Sequence, residues 1–147
     1  YVNDIILAGN DPSLCDTIKT HIHKWFKIKD LGKLKYFLGI ELAHNSTSLF
    51  LNQRKLALDI LHGCGLLGFK PIDFPMEPNL KLALDDGLEF AELACYRHLV
   101  GRLVYLTITC PNLSYAIHVL SQFLHKSRQA HYDVVIRVLM FKGDSAK

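Results

Sequence analysis

Apolar positions in this chain change period several times, and those changes predict its elements. Ile5, Ile6 and Leu7 make a short run within Asp4 to Ala8 that Gly9-Asn10 ends, which predicts a strand leading into a turn. Asp11 is then placed to cap a helix with Pro12 at its first position. Leu14, Ile18, Ile22 and Trp25-Phe26 carry an apolar helical face to about residue 26. Lys27 to Asp30 reads as a strand edge, Gly32 breaks the chain, and Leu34 to Leu42 reads as a further strand. Asn45-Ser46-Thr47 supplies a turn, and Leu49-Phe50-Leu51 the returning arm of an antiparallel hairpin. Asn52 is the expected cap of the next helix, with Leu56, Ile60 and Leu61 facing inward and Gly63 or Gly65 as its stop.

The periodicity then lapses. Pro71, Pro75, Pro78 and Asp85-Asp86-Gly87 forbid regular structure and predict an extended linker. Beyond it the pattern is helical: one stripe through Tyr96, Leu99-Val100, Leu103 and Leu106-Thr107, then a second from Pro111 through Leu113, Ala116-Ile117, Leu120 and Phe123-Leu124. A third runs through Val134-Val135, Val138-Leu139 and Phe141, and three helices on short connections predict a small bundle. The fold class expected is α+β: a partial antiparallel sheet with helices over residues 1–66, a Pro-rich linker over 67–92 and a helical part over 93–147.

Composition bounds the function classes. Half of the residues are hydrophobic, 21% are charged and the mean hydropathy is +0.15, enough apolar material for a core and against wholesale disorder. No apolar run approaches the ~20 residues that cross a bilayer, so no membrane partner is expected. The first residue is not Met and no signal peptide is visible, so a fragment is expected, with an intracellular setting, cytoplasmic or nuclear, if it is expressed. The net charge of +3 is mild, but residues 67–91 hold two Lys and five Asp or Glu between two basic blocks. Cys15, Cys64, Cys95 and Cys110 lie far apart and predict reduced thiols. His21 and His23 diverge by about 200° on a helix, which argues against a shared metal. His98, His118, His125 and His131 lack ligand spacing, so solvated or core-edge roles are expected.

Chemistry enters at the first four residues. An aromatic, a β-branched residue and Asn3-Asp4 at a strand tip could present oxygen ligands to a hard cation such as Mg²⁺, although a lone Asp there is usually a turn or cap residue. Tyr1-Val2-Asn3-Asp4-Ile5-Ile6 resembles the Y-V-D-D box of copia-type reverse transcriptases. Asp30-Leu31-Gly32-Lys33-Leu34-Lys35-Tyr36-Phe37-Leu38-Gly39-Ile40-Glu41 is similar to that family's D-L-G-x-L-x-Y-F-L-G-I-E signature. Asn52 to Lys55, Pro75 to Asn79, Tyr96 to Leu103, Thr109 to Ala116 and Ser121-Gln122-Phe123 follow as family-like blocks in order, so the resemblance covers nearly all of the chain.

The resemblance implies a retrotransposon RNA-directed DNA polymerase. Residues 1–66 would be the C-terminal part of its palm and residues 93–147 a thumb-like segment along the duplex. Its partners would be an RNA or DNA template-primer and dNTPs. Its cofactor would be Mg²⁺, held by the box carboxylates and an Asp from an earlier strand in two-metal in-line displacement. Asp4 would be the catalytic and metal-binding residue and Asn3 the degenerate partner. The Leu34 to Glu41 hairpin would grip primer backbone, with Gly32 and Gly39 permitting close approach and Lys33 and Lys35 offering phosphate contacts.

Departures from the pattern count against polymerisation. Asn3 is a neutral amide where a carboxylate should bind metal, and one charge on Mg²⁺ is worth on the order of 10 kcal/mol gross at an effective ε of ~20. The earlier palm strand and the fingers are not in these 147 residues, and the chain reaches Phe141-Lys142-Gly143-Asp144 where the family continues K-G-T-P. Asn3 and Asn112 stand for Asp, and His98 and Cys110 for Arg, each a single C-to-T or G-to-A transition, which suggests a decaying genomic copy. Three functions stay open: an inactive polymerase fragment, a non-catalytic nucleic-acid-binding remnant, and a structural relic.

Overall fold

Asp11 begins the first regular element. Its side chain accepts from the backbone N–H of Ser13 and Leu14, and Pro12 fills the first position of α1 (Pro12–Trp25), as the cap pattern predicts. In this computed structural model residues 4–77, 80, 82–83 and 87–141 are described. Tyr1 to Asn3, Pro78-Asn79, Lys81, Leu84 to Asp86 and Lys142 to Lys147 fall outside them, and with them parts of the opening box, the linker and the C-terminal block.

The expected strand at Asp4 to Ala8 is absent. The segment is irregular and its apolar residues are exposed, Ile5 at 68%. An extended run becomes a strand only when a ladder partner takes its N–H and C=O groups, and no described residue pairs with it. Lys27 to Asp30 likewise forms no strand.

Leu34 to Leu42 is a hairpin rather than one strand. β1 (Tyr36–Phe37) turns through Leu38 and Gly39 into β2 (Ile40–His44), with Tyr36 opposite Glu41 and Phe37 opposite Ile40. Both turn residues have positive φ, 48° at Leu38 and 84° at Gly39. That is the pattern of a type I′ turn, whose twist matches the flanking strands. β3 (Leu49–Asn52) completes a three-stranded antiparallel sheet in the order β1-β2-β3, closed across the expected Asn45 turn by Asn45 N–H to the Ser48 carbonyl at 2.9 Å.

Asn52 pairs with Glu41 at the end of β3 and so does not cap a helix. Gln53 precedes α2 (Arg54–Gly63) instead, with no side-chain cap bond. The helix stops as expected in its glycine pair: Gly65 takes φ 68°, its N–H donates to the His62 carbonyl and the Leu66 N–H to the Leu61 carbonyl. Those two bonds make a Schellman motif.

The chain divides into two compact units, Tyr1–Asn52 and Gln53–Lys147. That division precedes the pattern boundary at residue 66, because Ile60 of α2 is fully buried in the same cluster as the later helices. These are α3 (Leu93–Leu106), α4 (Ser114–Ser121), entered through a 3₁₀ turn at Pro111–Leu113, and α5 (Gln129–Leu139). Tyr96, Leu99, Val100, Leu103, Ile117, Leu120, Val135 and Val138 supply the core at the positions the stripes predict. The Tyr96 hydroxyl donates to the Leu120 carbonyl at 2.7 Å, joining α3 to α4 inside that core.

The described residues of the Pro-rich segment are irregular, as expected, and several of them are bound down. Ile72 N–H donates to the Met140 carbonyl, Phe90 N–H to the Ser127 carbonyl and Gln129 N–H to the Leu88 carbonyl. Met76, Leu82 and Phe90 pack on the helical core, with Phe90 stacked on Tyr132 at 4.3 Å, and Glu77 pairs with Arg137 at 3.0 Å. The segment straps both ends of α5. No helix among the described residues is long and apolar enough to cross a membrane.

Candidate functional site

Three side chains fix the Asp30 to Glu41 block: Asp30 at its start, Lys19 of α1 and His44 at the far end of β2. Asp30 accepts from the Gly32 N–H at 2.9 Å, which closes the turn that Gly32 makes at φ 74°. The Lys19 ammonium of α1 reaches the same carboxylate at 3.0 Å and Asp16 at 3.4 Å. The Gly32 N–H and then Lys19 hold the Asp30 carboxyl below the usual carboxylate range, and Asp30 holds Lys19 correspondingly up. His44 Nε2 lies 3.0 Å from the Leu34 carbonyl, and Leu42 N–H donates to the Lys35 carbonyl at 2.8 Å. Lys33 and Lys35 are both exposed on the entry to the hairpin, and Gly39 occupies its tip.

Of the residues picked from the sequence, the fold thus gathers Gly32, Lys33, Lys35 and Gly39 on one hairpin. Asp4 is exposed in the irregular segment before α1 and makes no hydrogen bond or ion pair to another described residue. Asn3 lies outside the described residues. Mg²⁺ sites usually combine one or two carboxylates with substrate phosphates. Asp4 offers one carboxylate, and no group of three His, Cys, Asp or Glu comes together among the described residues. The described residues therefore do not fit a metal site by themselves.

Lys19 and His44 escaped the sequence pattern. Asp16 and Lys19 have readable helical spacing, but the bonds from Lys19 to Asp30 and from His44 to Leu34 join separate elements and leave no local signal.

Comparison with known proteins agrees with the hairpin block. The family described as reverse transcriptase (RNA-dependent DNA polymerase) matches residues 1–78. The retrovirus-related Pol polyprotein from transposon RE1 of Arabidopsis thaliana is 40% identical over 141 residues, covering 96% of this chain and 10% of that protein. An uncharacterized mitochondrial protein of Arabidopsis thaliana is 36% identical over 141 residues, covering 96% of this chain and 58% of its own length. The Pol polyprotein from transposon TNT 1-94 of Nicotiana tabacum is 29% identical, again over 96% of this chain and 11% of that protein. The chain thus spans about a tenth of the Pol polyproteins that it matches. No solved structure matches it. With copia-type Pol polyproteins as relatives along nearly its whole length, the chain belongs to the reverse transcriptase (RNA-dependent DNA polymerase) family.

Proposed function

We propose that this chain is the part of an RNA-directed DNA polymerase that holds template-primer, and that it does not polymerise in isolation. Residues 1–66 act as the C-terminal part of the palm, 67–92 as a connector and 93–147 as a thumb-like segment. The observation that carries the reading is the Asp30 to Glu41 hairpin: two exposed lysines precede a tight turn, braced by Lys19, Asp30 and His44. Lys33 and Lys35 contact phosphates, and Gly32 and Gly39 let the backbone approach the strand. Asp4 is the box carboxylate that would hold Mg²⁺ only together with carboxylates from elsewhere in a polymerase and substrate phosphates, and Asn3 is the position that has lost its charge.

Binding to a short RNA–DNA hybrid across a salt series tests the grip. The log-log slope should fall by about 0.9 for each phosphate contact removed by Lys33→Ala and Lys35→Ala. No measurable binding of the unaltered chain at low salt would sink the reading. A primer-extension assay with Mg²⁺ tests the other half, and dNTP incorporation by this chain alone would overturn inactivity.

A further inference from the structure

His131 is 1% exposed, contrary to the solvated or core-edge role its spacing suggests, and its surroundings dictate its protonation. Nδ1 lies 3.0 Å from the backbone N–H of Arg128, the residue that caps α5. A peptide N–H only donates, so Nδ1 must present a lone pair. Nε2 lies 3.2 Å from the Ala83 carbonyl, which only accepts, so the ring proton sits on Nε2. Both bonds together require the neutral imidazole in one tautomer.

A second proton would go to Nδ1 and point at the Arg128 N–H. That contact cannot survive, and it would strip α5 of a capping bond while placing a cation at the positive end of its dipole. The described groups around the ring offer no carboxylate to compensate. Phe123, beyond α4, stacks on the ring at 3.9 Å and is neutral. On the α5 side, Arg128 adds positive charge, and Asp133 is engaged by Gln129 at 2.9 Å. On the connector side, Glu89 pairs with the Arg128 guanidinium at 3.5 Å. Asp85 and Asp86 follow Ala83 in the chain and lie outside the described residues.

The same junction fastens the connector. Ala83 bonds to the ring, Arg128 Nη1 donates to the Gly87 carbonyl at 3.3 Å, and the Phe90 and Gln129 amides cross between Ser127 and Leu88. We propose that His131 is a proton-operated latch: its neutral form clasps the connector to the start of α5, and its protonation releases Ala83 and the Gly87 to Phe90 stretch while the helical core stays folded. Burial first, and then the Arg128 charge, hold the imidazole below its ordinary value, whereas the Ala83 bond partly offsets them. Because the closed form resists the proton, the clasp is at full strength above about pH 6.5 and weakens as pH falls below it.

Amide hydrogen exchange of the whole chain between pH 7.5 and 5, corrected for intrinsic rates, reads the latch. Opening at the Phe90 and Gln129 amides should rise by up to about tenfold per pH unit below 6.5. The Ile72 amide at the other end of α5, and the α3 amides, should hold steady. His131→Gln keeps an acceptor for the Arg128 N–H without titrating and should flatten the response. Should that variant fail to fold, imidazole nitrogen NMR of the unaltered chain decides: an Nε2–H tautomer titrating below the ordinary value supports the latch. Nδ1–H, an ordinary titration, a flat exchange profile, or an undiminished response in His131→Gln would each overturn it.

Discussion

The two compact units are held together by different forces. Among the described residues, none from 4 to 52 is buried, and Trp25, at the end of the α1 apolar face, is 75% exposed. From Gln53 onward, Ile60, Tyr96, Leu103, Leu120 and Val135 are all essentially without solvent contact. Both units have amphipathic helices of similar length, so helical pattern alone does not predict which one buries its face. Local hydrogen bonds, a cap and the surface ion pairs of Lys19 hold the first unit, whereas apolar burial dominates the second. Small sheets without a covered face are marginal, so the first unit should open at lower free energy than the second.

Deleting core volume gives the largest effect. Leu103→Ala should cost about 2–5 kcal/mol in denaturant unfolding, while Leu42→Ala, half-buried in β2, should cost less than half as much. Equal costs would break the contrast. Tyr96→Phe removes the hydroxyl bonded to Leu120 and should cost about 1 kcal/mol. Burial also pushes the Tyr96 phenol well up, so it should stay unionised in alkaline ultraviolet titration while exposed tyrosines ionise.

Turn chemistry sharpens the picture of the first unit. Gly39→Ala puts a Cβ at φ 84° and should weaken the hairpin by about 1 kcal/mol. Leu38→Asn should strengthen it by a few tenths, since asparagine tolerates positive φ; hairpin amide exchange reads both. The smallest effect is electrostatic. Asp30 has a depressed folded value, so its contribution is present above the ordinary carboxylate range and fades as pH falls through the folded one. Asp30→Asn should remove that fading, and raised salt should blunt it.

Much of this was legible. The Asp11-Pro12 start, the stripe from Tyr96 to Leu106 and the Pro111 entry carry their signals locally, and the structure follows them. The Leu34 to Leu42 hairpin hid because Leu-Gly is a poor match to the Asn-Gly signal of its turn, and leucine at positive φ costs about 1–2 kcal/mol. Asn52 misled because the sheet claimed it before it could cap. The Asp4 to Ala8 run had strand composition without a described partner. Within the candidate site, the exposed lysines and the turn glycines could be read from sequence, but the Lys19 and His44 braces depend on tertiary approach.

The strapped connector has a consequence for the order of assembly. Ile72 pairs beside Phe141, and Glu89 beside Arg128. During synthesis the connector therefore leaves the ribosome before α5 exists to receive it. Phe74, Leu80 and Leu88, which stay exposed even in the finished fold, spend that interval as unsheltered apolar chain. Docking must wait for closure of long loops, the slow kind of contact. A nascent chain stalled short of α5 should therefore be held by chaperones more strongly than the completed one.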